Sequence, residues 1–286
     1  MVKKHKKRFW ILAGLILLII ICLGIFIGLR KNQPTKAALS KATATVFFHG
    51  WGSSRHAEEQ MANYLVSHKY ASSIVVADVD YQGHVKYSGT LPAKTKHFIV
   101  EVNLQNNKSV SPNGGMTYSQ SSNYVADVLA SLKKKWQIKN VNLVAHSMGN
   151  LQVIYFIKNH AGSSKYPKIN KLVDIAGHYN GIIGMDEPKD TSLEANGKPK
   201  MMNDTYRDLL SVRNTFPKNI QVMNIYGNYK NQGDGSVNNN SSKSLRYLVQ
   251  KRAKSYEERE IKGYGAQHSR LHENKEVDQL LLKFLK

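Results

Sequence analysis

Ser147 stands in Ala145-His146-Ser147-Met148-Gly149, directly behind the apolar run 141–145 and directly ahead of the amphipathic stretch 151–158. A small-x-Ser-x-Gly pentapeptide between a strand and a helix is the pattern of a nucleophile elbow, a strained turn that lifts the serine hydroxyl clear of the sheet. Small residues at 145 and 149 suit it because larger side chains would strike neighbouring backbone; Ala145 stands where Gly is more usual. A hydroxyl becomes a nucleophile only when a base takes its proton and a third group orients that base. For the third group the chain offers Asp234, in Gly233-Asp234-Gly235-Ser236-Val237, beyond the apolar run 220–226. Its carboxylate could orient an imidazole, or could serve its own turn backbone, and both uses are open. For the base it offers His268, between the expected strand 256–261 and the final helix. His272, four residues on, is its rival among eleven histidines. Position favours His268, because the loop between last strand and last helix is where such an architecture needs its base.

Acyl chemistry also needs two N–H groups aimed at the developing oxyanion. Met148, at the head of the helix after Ser147, supplies one. The loop His49-Gly50-Trp51-Gly52 supplies the other from Trp51, its glycines allowing close backbone approach. His49 ends a buried strand and His146 adjoins the nucleophile, and both read as structural. His84, His97, His146 and His160 lack metal-ligand spacing, and no glycine-rich phosphate loop is present. No metal and no cofactor are expected.

The elements that must position these groups follow from periodicity. Strands are expected at 43–48, 74–80, 97–104, 141–145, 171–175, 220–226 and 256–261, with a hairpin at Gly83-His84. Helices are expected at 58–68, 118–136, 151–160 and 274–285, the second carrying Val125, Val128, Leu129 and Leu132 on one face. Alternating β and α elements predict one α/β domain over 43–286, a mainly parallel sheet with helices on both faces. The segment 179–216 breaks the rhythm and reads either as an inserted lid or as a long surface excursion.

Residues 1–8 are a basic tail and 9–29 are 21 residues without a charge, close to the ~20 needed to cross a bilayer. They predict one uncleaved transmembrane helix, with a cytoplasmic N-terminus and the rest outside the cell membrane. Lys36-Ala37-Ala38 leaves cleavage open, and 30–42 reads as a polar linker. Cys22, the only cysteine, lies in the span behind bulky Ile21, which does not suit a lipoprotein signal. The chain has 41 Lys and Arg against 20 acids, seven of the basic residues falling within 1–31. That surplus suits anionic lipid headgroups or cell-wall polymers, or a merely soluble basic surface. No nucleic-acid motif accompanies it.

Together, Phe47-Phe48-His49-Gly50-Trp51-Gly52, the Ser147 pentapeptide, Gly233-Asp234-Gly235-Ser236-Val237 and His268-Ser269-Arg270-Leu271-His272-Glu273-Asn274 resemble the α/β-hydrolase superfamily over residues 43–286. More narrowly, the chain resembles the Gram-positive group of cell-surface hydrolases, and it is similar to small bacterial lipases with Ala in the elbow's first position. The resemblance implies Ser147 as nucleophile, His268 as base, Asp234 as orienting acid, and Trp51 and Met148 as oxyanion donors. It also implies a cofactor-free carboxylic ester hydrolase of the lipase or esterase kind, and the anchor and basic surface point to a lipid or cell-envelope ester as its substrate. The same triad serves acyltransferases and amidases, and the fold also carries non-catalytic binders of wall polymers.

Overall fold

The computed structural model describes residues 15, 18–21, 34–111, 115–231 and 233–286. Strands β1 Thr43–Phe48, β2 Ile74–Val79, β3 Val85–Ser88, β4 His97–Leu104, β5 Asn140–His146, β6 Lys168–Ile175, β7 Gln221–Asn228 and β8 Ser255–Lys262 form one sheet in the order β3-β2-β4-β1-β5-β6-β7-β8. Only β3 runs antiparallel, against β2; the rest are parallel. The central strands β1 and β5 are almost wholly buried because a parallel strand here is covered on both faces. The edge strand β8 carries Glu257, Glu258, Arg259 and Glu260, which discourage further strand pairing.

Alternation along β1 sends Val46 and Phe48 to one face and Phe47 to the other, and two cores result. The first lies under helices α2 Tyr118–Trp136 and α3 Met148–His160, with Val125, Val128, Leu129, Leu151 and Ile154. The second lies under α1 Glu59–Ser67 and α4 Lys275–Leu285, with Met61, Leu65, Val277 and Leu281. A capping box starts α2, where the Thr117 hydroxyl accepts from the Gln120 N–H and the Gln120 side chain accepts from the Thr117 N–H. Helix α3 is buried from Met148 to Ile157, so it runs through packed protein rather than along the surface.

The expected strands and long helices lie where the sequence predicts, with ends shifted by a few residues. Helix α3 starts at Met148, not 151, because Ser147 itself terminates the strand side of the turn. Residues 35–42, expected to be linker, belong instead to the packed domain. Thr35 caps a short helix, Lys36–Leu39, and Leu39 and Ala42 join the first core. The segment 179–216 holds two short helices, Asp204–Leu209 and Val212–Thr215, with Tyr179, Tyr206 and Phe216 fully buried. Among the described residues no helix is long and apolar enough to cross a membrane. The span expected at 9–29 lies outside the described residues, except for Leu15 and 18–21, which are helical and exposed.

Candidate active site

The ends of six strands, β1, β4, β5, β6, β7 and β8, converge at the C-terminal edge of the sheet. Ser147 follows β5 with φ +52° and ψ −120°, a left-handed conformation that costs a non-glycine residue on the order of 1–3 kcal/mol. The surrounding packing over-determines it. The Ser147 N–H donates to the Ile175 carbonyl at 3.0 Å. A Cβ on Gly149 would stand 2.4 Å from the Phe48 carbonyl oxygen, so only glycine lets α3 approach β1 this closely. Gly50 packs directly against the serine, its own Cβ position lying 3.1 Å from Ser147 Cβ.

His268 stands in the short 3₁₀ helix His268–Glu273 after β8. Its Nε2 lies 2.9 Å from Ser147 Oγ and its Nδ1 lies 2.7 Å from Asp234 Oδ2. Asp234 is buried, and its other oxygen, Oδ1, accepts from the N–H groups of Ser236 at 2.9 Å and Val237 at 2.7 Å. The two uses left open for this carboxylate are therefore both present, one on each oxygen. The His268 N–H also donates to the Asp234 carbonyl at 2.9 Å, so backbone and side chain fix the same pair. Gly227 permits this meeting, since a Cβ there would fall 2.0 Å from the Ala266 carbonyl oxygen and 2.9 Å from Asp234 Cβ.

The remaining histidines take other places. His272 lies against the His146 ring, centroids 5.0 Å apart. His146 is turned away from the serine's cavity, and its Nε2–H donates to the His268 carbonyl at 3.0 Å. Burial first, then the neighbouring rings of His268 and His272, hold His146 well below the usual imidazole range, so it stays neutral. His49 fixes the other loop. Its Nε2 accepts from the Leu104 N–H at 3.1 Å, which leaves the proton on Nδ1, and Nδ1–H donates to the Gly50 carbonyl at 2.8 Å. Burial holds this ring neutral as well. In a trans peptide N–H and C=O point opposite ways, so holding the Gly50 carbonyl sets the direction of the Trp51 N–H. The Trp51 indole N–H donates to the Val110 carbonyl at 3.0 Å, and Asn107 accepts from the Gly52 N–H at 2.8 Å. Met148 is the first residue of α3, where a backbone N–H has no intrahelical partner.

Beside the serine lies a cavity of about 400 Å³, walled by Trp51, Val110, Tyr118, Met148, Ile182 and Met185, with Lys108 and His178 also facing it. The segment 179–216 contributes Ile182 and Met185 to that wall. Asn180 accepts from the Asn203 N–H and donates to the Met201 carbonyl, and Asp186 accepts from the Ile182 N–H, tying this stretch down. His178 packs on Tyr118 with centroids 5.6 Å apart. Burial, reinforced by nearby His268, pushes its imidazole down to about 3. A neutral ring at the cavity wall can exchange hydrogen bonds with substrate without adding charge. His178 and Tyr118 were not foreseen from sequence. The available signal for His178 was its place in Gly177-His178-Tyr179 just past a strand, since the ends of parallel strands gather at one edge.

The fold has close counterparts. A Listeria innocua crystal structure superposes with TM-score 0.76 at 23% identity, covering 86% of this chain and 94% of that one. A Lactobacillus plantarum structure, named as a cell surface hydrolase, gives 0.67 at 20% identity, covering 86% and 90%. Est1E from Butyrivibrio proteoclasticus gives 0.50 at 13% identity, covering 89% and 90%. At these identities the likeness is one of fold. Among curated proteins, the transcriptional regulator prz1 of Schizosaccharomyces pombe is 30% identical over 131 residues, 45% of this chain but only 19% of that protein. The sequence profile of alpha/beta hydrolases of unknown function, DUF915, matches residues 32–286, and with the parallel sheet, elbow and converging strand ends it places this chain in that family.

Proposed function

We propose that the protein is a membrane-anchored extracellular serine hydrolase that cleaves carboxylic esters, in the manner of a lipase or esterase. The observation that carries this is the unbroken chain from Ser147 Oγ to His268 Nε2, 2.9 Å, and from His268 Nδ1 to Asp234 Oδ2, 2.7 Å, behind a serine held on a left-handed elbow. Ser147 Oγ attacks the ester carbonyl carbon while His268 takes its proton, and buried Asp234 offsets the imidazolium charge. The carbonyl electrons move onto oxygen, which faces the N–H groups of Met148 and Trp51. Collapse expels the alkoxide, protonated by His268, and leaves an acyl-serine. Water, deprotonated by the same ring, then releases the acid. The apolar walls of the adjoining cavity suit an acyl chain, and exclusion of water by a bound acyl chain would strengthen the charge interactions there. The apolar segment 9–29 supports the anchor, and the name of the Lactobacillus plantarum protein agrees with a surface location.

The test uses the full chain in detergent, with a fluorophosphonate probe and p-nitrophenyl esters of increasing chain length. Labelling and turnover should both vanish in Ser147→Ala. Folded wild-type protein that neither labels nor turns over any ester would overturn the assignment.

A further inference from the structure

The direction of the strands gives the molecule two unlike edges. Seven parallel strands begin at one edge, and the Ser147 cavity lies at the other. The first edge is built from segments 34–42, 68–73, 89–96, 133–139, 161–168, 216–220, 250–254 and 283–286. The last belongs here because the Lys171 ammonium, near the start of β6, donates to the carbonyls of Phe284 and Leu285. These eight segments contain 17 Lys and Arg and no Asp or Glu. Beyond residue 33 the whole chain has 34 Lys and Arg against 20 acids. Half of its basic residues therefore sit on this edge, and everywhere else acids slightly outnumber them.

Nearly all seventeen are exposed, and among the described residues none forms an ion pair. Lys133 and Arg252, half-buried, give N–H groups to the main-chain carbonyls of Ser164 and Phe216. His97 and His160 lie among these cations and are both held low, by burial first and then by neighbouring lysines. Solubility asks only for net charge with signs interspersed. Confining one sign to one face costs self-repulsion, which an anionic surface laid against that face relieves.

The chain also leaves the domain on this edge. Leu39 and the short helix capped by Thr35 pack beside Tyr87 and Trp136, so the position of Pro34 is fixed there. Between Pro34 and the apolar run ending at Leu29 stand only residues 30–33, which include Arg30 and Lys31. That stretch reaches about 14 Å at most.

We infer that this basic edge lies against the anionic headgroups of the bilayer that holds residues 9–29, so that the Ser147 cavity opens away from that bilayer. The placement rests on the anchor proposed above. The seven residues of β5 alone separate the edges by about 23 Å, whereas headgroup charge is screened over ~8 Å at physiological salt. Only the basic edge can feel the membrane. Substrate then arrives from the side facing away from the membrane and not by lateral passage out of the protein's own leaflet.

The test reconstitutes the full chain, carrying Cys22→Ser, into vesicles of phosphatidylglycerol or phosphatidylcholine that contain a headgroup acceptor dye. A donor fluorophore is placed at Lys134→Cys on the basic edge or at Lys262→Cys on the opposite edge. In phosphatidylglycerol, energy transfer from position 134 should exceed that from 262 severalfold. The gap should narrow in phosphatidylcholine, in high salt, and on reversing Lys133, Lys135 and Lys139 to Glu. That reversal should leave hydrolysis of a soluble ester unchanged. Equal transfer from both positions, or stronger transfer from 262, would overturn the placement. So would equal transfer combined with salt-sensitive binding of a soluble polyanion that the reversed variant loses, which would assign the edge to a wall polymer. Release of the chain from vesicles by an alkaline wash would instead overturn the anchor, and the placement with it.

Discussion

Ser147, His268 and Asp234 form one chain of hydrogen bonds, and each link predicts its own deficit. Asp234→Asn keeps the shape but favours the wrong imidazole tautomer, so kcat should fall on the order of 10⁴-fold with the fold intact. Circular dichroism beside ester turnover would check both halves. His49 acts one step removed, by holding the Gly50 carbonyl and so aiming the Trp51 N–H. His49→Phe should lower kcat by up to about 10²-fold with KM little changed, approaching the cost of one oxyanion donor. An unchanged kcat would show that the loop keeps its direction without the imidazole. His268 was legible because it follows the last strand. Position also favours it over His272, and in three dimensions the four-residue offset turns the second ring onto His146.

At the scale of elements, close approach and capping govern. Gly149→Ala would bring a methyl 2.4 Å from the Phe48 carbonyl oxygen, pushing α3 off β1 and displacing Ser147 with it. We expect a loss of about 1–3 kcal/mol, a fall in melting temperature of several degrees, and a drop in turnover beyond that. Thr117→Ala removes one arm of the capping box at the start of α2. It should cost about 1 kcal/mol, roughly 2–4 °C in a domain of this size, and leave kcat untouched. A parallel loss of activity would mean that α2 reports to the cavity through Tyr118. Helices and strands with clear 3.6- or 2-residue periods were readable in the sequence. The short helix at 36–39 was not, because four residues carry no period and only Leu39 and Ala42 betray their burial.

At the scale of the molecule, buried acids set the response to pH. Glu58 is fully buried at the start of α1, and burial, then Glu101, then Glu273 push its carboxyl up to about 8. The unfolded chain would ionise it near 4.5, so between those values the unfolded state releases the proton and stability falls as pH rises. Glu58→Gln should raise the unfolding free energy from urea titration at pH 8 by an amount on the order of 1–3 kcal/mol and change it little at pH 5. An equal shift at both would mean that packing, not ionisation, is at stake. The other feature of this scale is charge: the surplus of basic residues is plain in the composition, but its confinement to one edge is not.

What the sequence determined is whatever depends on neighbours along the chain. The small residues flanking Ser147, the glycines around Asp234, the loop place of His268 and the alternation of β and α elements are all local, and local sterics and periodicity suffice for them. What only the tertiary structure decided is whatever joins distant segments. Asp234 serves both its own turn and an imidazole 34 residues on. His178 and Tyr118 share a wall although 60 residues apart, and eight separate segments bring seventeen cations to one edge. Strand order and crossover direction place such groups together, and neither is written in the residues that they bring into contact.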